Sequence, residues 1–170
     1  MKKIVMPLLS VALLIAAIVM VVISIADNKH AKVIVLGNTD AGVISMTPKE
    51  YQCSTCKMEI EQLPYAVEII NNKGKTWFFD DIGCAVSWLE HQPFKDNVVI
   101  WTQTEDTHVW VDATKACYRR DARTPMNFGF AAQEQCPQGT TIDYNSMRTK
   151  ILHGETLQDP NIRQQLLGDS

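Results

Sequence analysis

The sequence predicts an α+β fold behind an N-terminal membrane anchor, and three observations predict it. An almost unbroken apolar run from Ile4 to Ala26 follows Lys2 and Lys3. Between Tyr65 and Trp101, short β-branched and aromatic runs flank a turn cluster and one stretch of helical spacing. From His108 onward the chain again reads as strands followed by a helix. At 170 residues it suits one anchored domain or two very small ones.

The apolar run, broken only by Pro7, Ser10 and Ser24, carries no charge. A run of about 20 or more such residues can span a bilayer. Cleavable signals have apolar regions of only about 7–15 residues, so residues 1–26 are expected to be an uncleaved transmembrane anchor. Ser24-Ile25-Ala26 is small-x-small and leaves cleavage open. Basic flanks stay in the cytoplasm. The expectation is a single-pass protein of the cytoplasmic membrane with its soluble domain on the periplasmic, extracytoplasmic side. Five cysteines are then read against an oxidising compartment. Five is odd, so at least one thiol is unpaired, pairs with another chain or binds metal. The net charge is −3, and no basic run offers the cationic face that nucleic acid wants.

Residues 27–49 read as linker or short strand. Asp27–Ala31 is a polar exit from the membrane, Val33–Leu36 is a candidate strand, and 37–42 is a turn cluster. Residues 50–170 form the αβ domain, with halves at about 50–104 and 105–170. Pro64 limits any helix after Met58. Tyr65–Ile70 and Lys75–Phe79 are strands joined by the turn Asn71-Asn72-Lys73-Gly74. Asp80 or Asp81 caps a helix over Ile82–Glu90. Ile82, Val86 and Leu89 give that helix one apolar face, which Cys84 and Trp88 widen. Asn97–Trp101 is the next strand. In the second half, His108–Val111, Ala116–Arg119 and Asn127–Ala131 read as strands. Asp143 caps a helix from Tyr144 to His153. Asp159-Pro160 opens a terminal one, with Pro at its first position.

The chemistry concentrates in Cys53-Ser-Thr-Cys56-Lys-Met58. Thiolates and thioethers are soft donors and favour Cu(I) over hard or borderline cations. A second methionine sits in the turn-like Thr124-Pro125-Met126-Asn127-Phe128-Gly129-Phe130. The expectation is that Cys56, Met58 and Met126 meet around Cu(I), with Cys53 a further ligand or a disulfide partner. Other readings stay open. Cys53 and Cys56 can form a disulfide, with Met58 as a packing residue. They can be a thiol–disulfide redox pair, although Pro64 comes early and no thioredoxin-like βαβ pattern precedes them. With Lys57 in place of the usual His, they can be a variant haem-attachment site. Structural zinc wants a second closely spaced Cys/His pair, and none is visible. Cys84 reads as a small buried hydrophobe, Asp80 and Asp81 as caps, and Cys117 with Cys136 as a candidate disulfide. Met46 and Met147 carry no motif. His30, His91 and His153 read as solvated or hydrogen-bonded, and His108 as the best outside candidate for a fourth ligand. No nucleophile, base and orienter can be read together, so no enzyme activity is expected.

These residues resemble the NosL family, the copper-binding accessory proteins of nitrous-oxide reductase. The resemblance runs from about Cys53 to Ala132. It rests on Cys56-Lys-Met58-Glu-Ile60, on Trp77-Phe-Phe-Asp-Asp-Ile-Gly-Cys84 leading to Trp88, and on Val111-Asp112 with Ala116 and Tyr118. Pro125-Met126 through Gly129, Phe130 and Ala131 completes it. It implies two small halves of strand-strand-helix-strand type. It also implies Cu(I) held by Cys56, Met58 and Met126. The implied role is delivery of copper to a client metalloenzyme such as nitrous-oxide reductase, in denitrification, through that enzyme's assembly machinery and an associated ABC transporter. The chain departs from the pattern in two respects: the family usually has Gly where Lys57 stands, and its members are typically lipid-anchored.

Overall fold

The computed structural model describes residues 11–22 and 31–168. They fall into two units, one ending at His30 and one beginning at Ala31. In the first, residues 11–22 form helix α1. The expected anchor also covers 1–10 and 23–26, which lie outside the described residues. Among the described residues, no helix is long and apolar enough to cross a membrane.

The second unit is an α+β fold. Strands β1 (Ile34–Val35), β2 (Val67–Asn71), β3 (Thr76–Phe79), β4 (Val98–Gln103) and β5 (Trp110–Asp112) form one antiparallel sheet in the order β1-β3-β2-β4-β5. Strands β6 (Cys117–Arg119) and β7 (Ala131–Gln133) form a separate antiparallel pair. The β2–β3 hairpin turns as its residues predict: Asn71 Oδ1 accepts the N–H groups of Lys73 and Lys75, and Gly74 takes a positive φ of 71°. Helix α2 (Ile82–Glu90) follows β3 at once. Its cap is Asp81, whose carboxylate accepts the Gly83 N–H. That satisfies a donor left free in the first helical turn.

Residues along a strand point alternately to its two faces, and both faces of this sheet are covered. Val67, Ile69, Trp77 and Phe79 meet Ile82, Val86 and Leu89 of α2 in the main core, together with Tyr118, Phe130 and Met147. Phe78, on the opposite face, packs with Met46, Tyr51, Ile60 and Ala66. The chain from 38 to 46 lies over this second core. Trp101 Nε1 donates to Ala41 O at 2.9 Å, and Ile44 N donates to the buried Glu68 carboxylate at 3.0 Å. Val33–Leu36, expected as strand or linker, supplies the edge strand β1.

The first half has the expected order of hairpin, helix and strand. The second does not repeat it. Its strand β5 joins the first sheet, β6 and β7 pair apart, and helices α3 (Tyr144–Leu152) and α4 (Pro160–Leu167) follow with no strand after them among the described residues. The strand expected at Asn127–Ala131 starts only at Ala131. Asn127 and Gly129 have φ of 55° and 89°, which breaks an extended run and makes a turn. A disulfide joins Cys117 to Cys136, while Cys53, Cys56 and Cys84 are free.

Candidate metal centre

Residues 52–59 make a miniature hairpin. Gln52 bridges Glu59, and Cys53 N donates to Met58 O at 2.8 Å. The turn closes through Lys57, whose φ is 68°. For any residue but glycine, and less often Asn or Asp, this left-handed conformation is costly. The Lys57 ammonium folds back onto Ser54 O at 2.7 Å. Two further bonds dock the hairpin onto the sheet and the helix. Ser54 N donates to Phe78 O at 2.8 Å, and Thr55 Oγ1 donates to Cys84 O at 3.1 Å.

This docking brings four donors together at the N-terminus of α2. One ligand atom from each of Cys53, Cys56, Asp80 and Cys84 lies within 4.8 Å of the others. Cys53, Asp80 and Cys84 are buried and Cys56 is half-buried. The Cys56 thiol donates to Asp80 Oδ2 at 3.3 Å, and the Cys56 N–H donates to Cys53 Sγ at 3.5 Å. Asp80 Oδ1 is buried with no hydrogen-bond partner. Such an orphaned oxygen is costly in a folded protein, and a cation would satisfy it.

The three thiols do not ionise alike. Hydrogen bonds from the Cys84 thiol and from backbone N–H groups bring Cys53 down to about 7 against the cost of burial. Burial and the neighbouring Cys53 push Cys56 up to about 12. Cys84 is raised, first because its thiol proton is held on Cys53 and then by burial. Cys53 is thus the sulfur most readily ionised, and the protons that Cys56 and Cys84 retain would be displaced by a soft cation on binding. Cys84 sits in the first turn of α2, where the positive end of the helix dipole would favour its thiolate once a metal has displaced the proton. The set of three sulfurs and one carboxylate can hold a metal ion.

The sequence-expected residues divide. Cys53 and Cys56 are in the cluster and are not joined as a disulfide. Met58 is 45 % exposed and lines a cleft of about 430 Å³ with Asp80 and Pro125. Met126 is half-buried against the main core, and its N–H donates to Asp81 Oδ2 at 3.2 Å. The Thr124 hydroxyl donates to the same oxygen. Burial pushes Asp81 up to about 6 against these bonds. The turn carrying Met126 is therefore tied to the residue next to Asp80. His108 lines a different cleft with Tyr65 and Glu105.

Cys84, expected as a small buried hydrophobe, is buried in the main core, and its sulfur also lies beside those of Cys53 and Cys56. One reading is corrected. Asp80, expected as a cap beside Asp81, leaves capping to Asp81 and faces the thiols. Their spacing, four apart with Cys84 in a first helical turn, was the available signal. Comparison with models of known families, with curated proteins and with solved structures finds no match.

Proposed function

We propose that this protein binds Cu(I) at the Cys53–Cys56–Asp80–Cys84 cluster and delivers it to a client copper enzyme. The observation that carries the reading is the convergence of three sulfur donors within 4.8 Å. Thiolate sulfur favours Cu(I), zinc and iron–sulfur clusters over hard cations; the exposed Met58 beside the cluster adds a thioether, a neutral, exchangeable donor suited to Cu(I). A delivery site needs that combination: sulfurs that hold the ion, and a loose ligand where a client can reach it. The resemblance to the NosL family adds the client class, nitrous-oxide reductase with its assembly machinery and ABC transporter. The position where that family usually has Gly is Lys57, whose φ of 68° is the conformation glycine takes without cost. The run from Ile4 to Ala26 with Lys2 and Lys3 supports a single-pass anchor and an extracytoplasmic domain. Protease added to spheroplasts should then digest that domain, and a protected domain would defeat the topology.

The test of the metal reading is Cu(I) titration of the reduced full-length protein with X-ray absorption of the loaded form. Tight uptake of one ion with a sulfur-dominated shell is expected. Absence of uptake overturns the reading. The surroundings of Cys53 favour a second reading: the Cys84 thiol and backbone N–H groups that point at its sulfur lower its pKa to about 7, toward the range of redox-active thiols. The complete burial of Cys53 argues against exchange with a protein disulfide. Strong insulin reduction without Cu(I) uptake would select the thiol–disulfide function, and a covalent haem absorbance the haem-binding one.

A further inference from the structure

The cleft beside the cluster does not end there. Its lining includes Glu59, Glu61 and Gln62, and Glu61 and Gln62 also line a second cleft of about 610 Å³ that runs to Glu105 and His108 over Leu63, Pro64 and Tyr65. The two clefts adjoin at Glu61 and Gln62, and the first of them holds Met58 and Asp80. Neither stretch is lined by a lysine or an arginine. The carboxylates of Glu59, Glu61 and Glu105 set their charge. Glu61 meets Lys49 at 3.2 Å, but both side chains are about 60 % exposed, so the pair is weak. Glu105 faces Arg119 at 3.4 Å. Glu59 makes no ion pair among the described residues. Asp80, 2 % exposed, lines the near end, with Oδ1 buried and unpartnered. The floor is apolar and stiffened by proline at Pro64.

We propose that these adjoining clefts dock an extended, cationic peptide segment of the protein that exchanges metal with the cluster, a segment that carries methionine or histidine beside its lysines or arginines. The inference rests on the proposed metal function and adds the partner's chemistry. An extended chain can lie across two adjoining clefts. Its cations answer the lining carboxylates, and its soft donor arrives at Met58, the exposed member of the site. Charge of this kind acts mainly on encounter and specificity and weakens with salt.

The test uses the full-length protein, a short labelled peptide of alternating Lys, Met and His, and a control with Glu for Lys. In fluorescence anisotropy without metal, the cationic peptide should bind at low salt and the anionic one should not. Glu59→Lys with Glu61→Lys should lower that affinity by about tenfold or more; both sites are at the surface, so folding and Cu(I) affinity should be kept. Cu(I) transfer from the loaded cationic peptide should slow by a similar factor, while transfer from a neutral small chelator should not. Equal slowing from both donors would show that the field acts on the ion alone and would overturn docking, as would equal binding of the two peptides. Loss of the metal function would appear separately, as wild-type protein that takes up no Cu(I) from either donor.

Discussion

The ring of Phe128 lies where a side chain at position 83 would be: a Cβ on Gly83 would fall 1.9 Å from Phe128 Cγ. The 124–129 turn is thus seated on the first turn of α2 by van der Waals contact as well as by the Asp81 hydrogen bonds. Gly83→Ala should lift Phe128 away. Overpacking of this kind costs about 1–3 kcal/mol, and denaturant unfolding should report it. Cu(I) affinity should fall with it if the turn helps to hold the metal.

The ligand set is separable by substitution. Cys84→Ser and Cys56→Ser should each lower Cu(I) affinity by at least about tenfold, read by competition with a chelator. Met58→Leu and Met126→Leu keep volume and remove only the thioether, so folding should survive in both. If Met126→Leu leaves affinity unchanged while Met58→Leu lowers it, binding is local to the cluster and Met126 serves packing alone. Unchanged affinity in Cys84→Ser would remove that residue from the site.

Lys57 offers a stability test independent of metal. Relieving a left-handed conformation is worth about 1–2 kcal/mol, less the bond from its ammonium to Ser54 O. Lys57→Gly should raise the denaturation midpoint by about 1 kcal/mol equivalent. Lys57→Ala loses the bond and keeps the backbone cost, so it should lower it. A midpoint that falls in both variants would mean that the side chain, not the φ angle, governs this turn.

Stability should also depend on pH through Glu68. Burial pushes its carboxyl from 4.5 up to about 7, against one backbone hydrogen bond from Ile44, and Oε1 is buried without a partner. The folded state therefore binds this proton more tightly than the unfolded chain. The stabilisation is complete below about pH 4.5 and is lost as pH rises through about 7, a swing of roughly 3 kcal/mol. Unfolding free energy should fall mainly between about pH 4.5 and pH 7, where the unfolded chain has lost this proton and the folded state still holds it; Asp81, raised to about 6, adds a fall of the same sign over the lower part of that interval. Glu68→Gln should flatten that slope. An unchanged slope in the variant would assign the effect elsewhere.

Much of this architecture was legible because it is local. The bounds of α2 follow from the Asp81 cap and the spacing of Ile82, Val86 and Leu89. The β2–β3 hairpin follows from Asn71 and Gly74. The cluster was only half legible. Cys53 and Cys56 stand close in sequence, but Asp80 and Cys84 join them through tertiary bonds such as Ser54 N to Phe78 O. Helical spacing placed Cys84 on the apolar face correctly; the cluster lies at the edge of that same face, so a core residue and a ligand point the same way. The second half departs from the expected strand-strand-helix-strand order because β5 completes the sheet that β1 opens at Ile34 (Val67 pairs Thr102, which pairs Val111), and short strands do not announce their partners.

The Cys117–Cys136 disulfide leaves three free thiols in the same chain, which the proposed metal site needs reduced. If the domain folds in the proposed oxidising compartment, that is a matter of timing. Before folding, all five sulfurs are equally open to an oxidant, and any pairing that takes Cys53 or Cys84 spoils the cluster. Once folded, those two have 0 % and 2 % of their surface accessible, and an external disulfide cannot reach them. Under that proposal assembly would be a kinetic race with opposite winners at two places in the domain: collapse would have to outrun oxidation around α2, while oxidation would have to go to completion between β6 and the loop after β7.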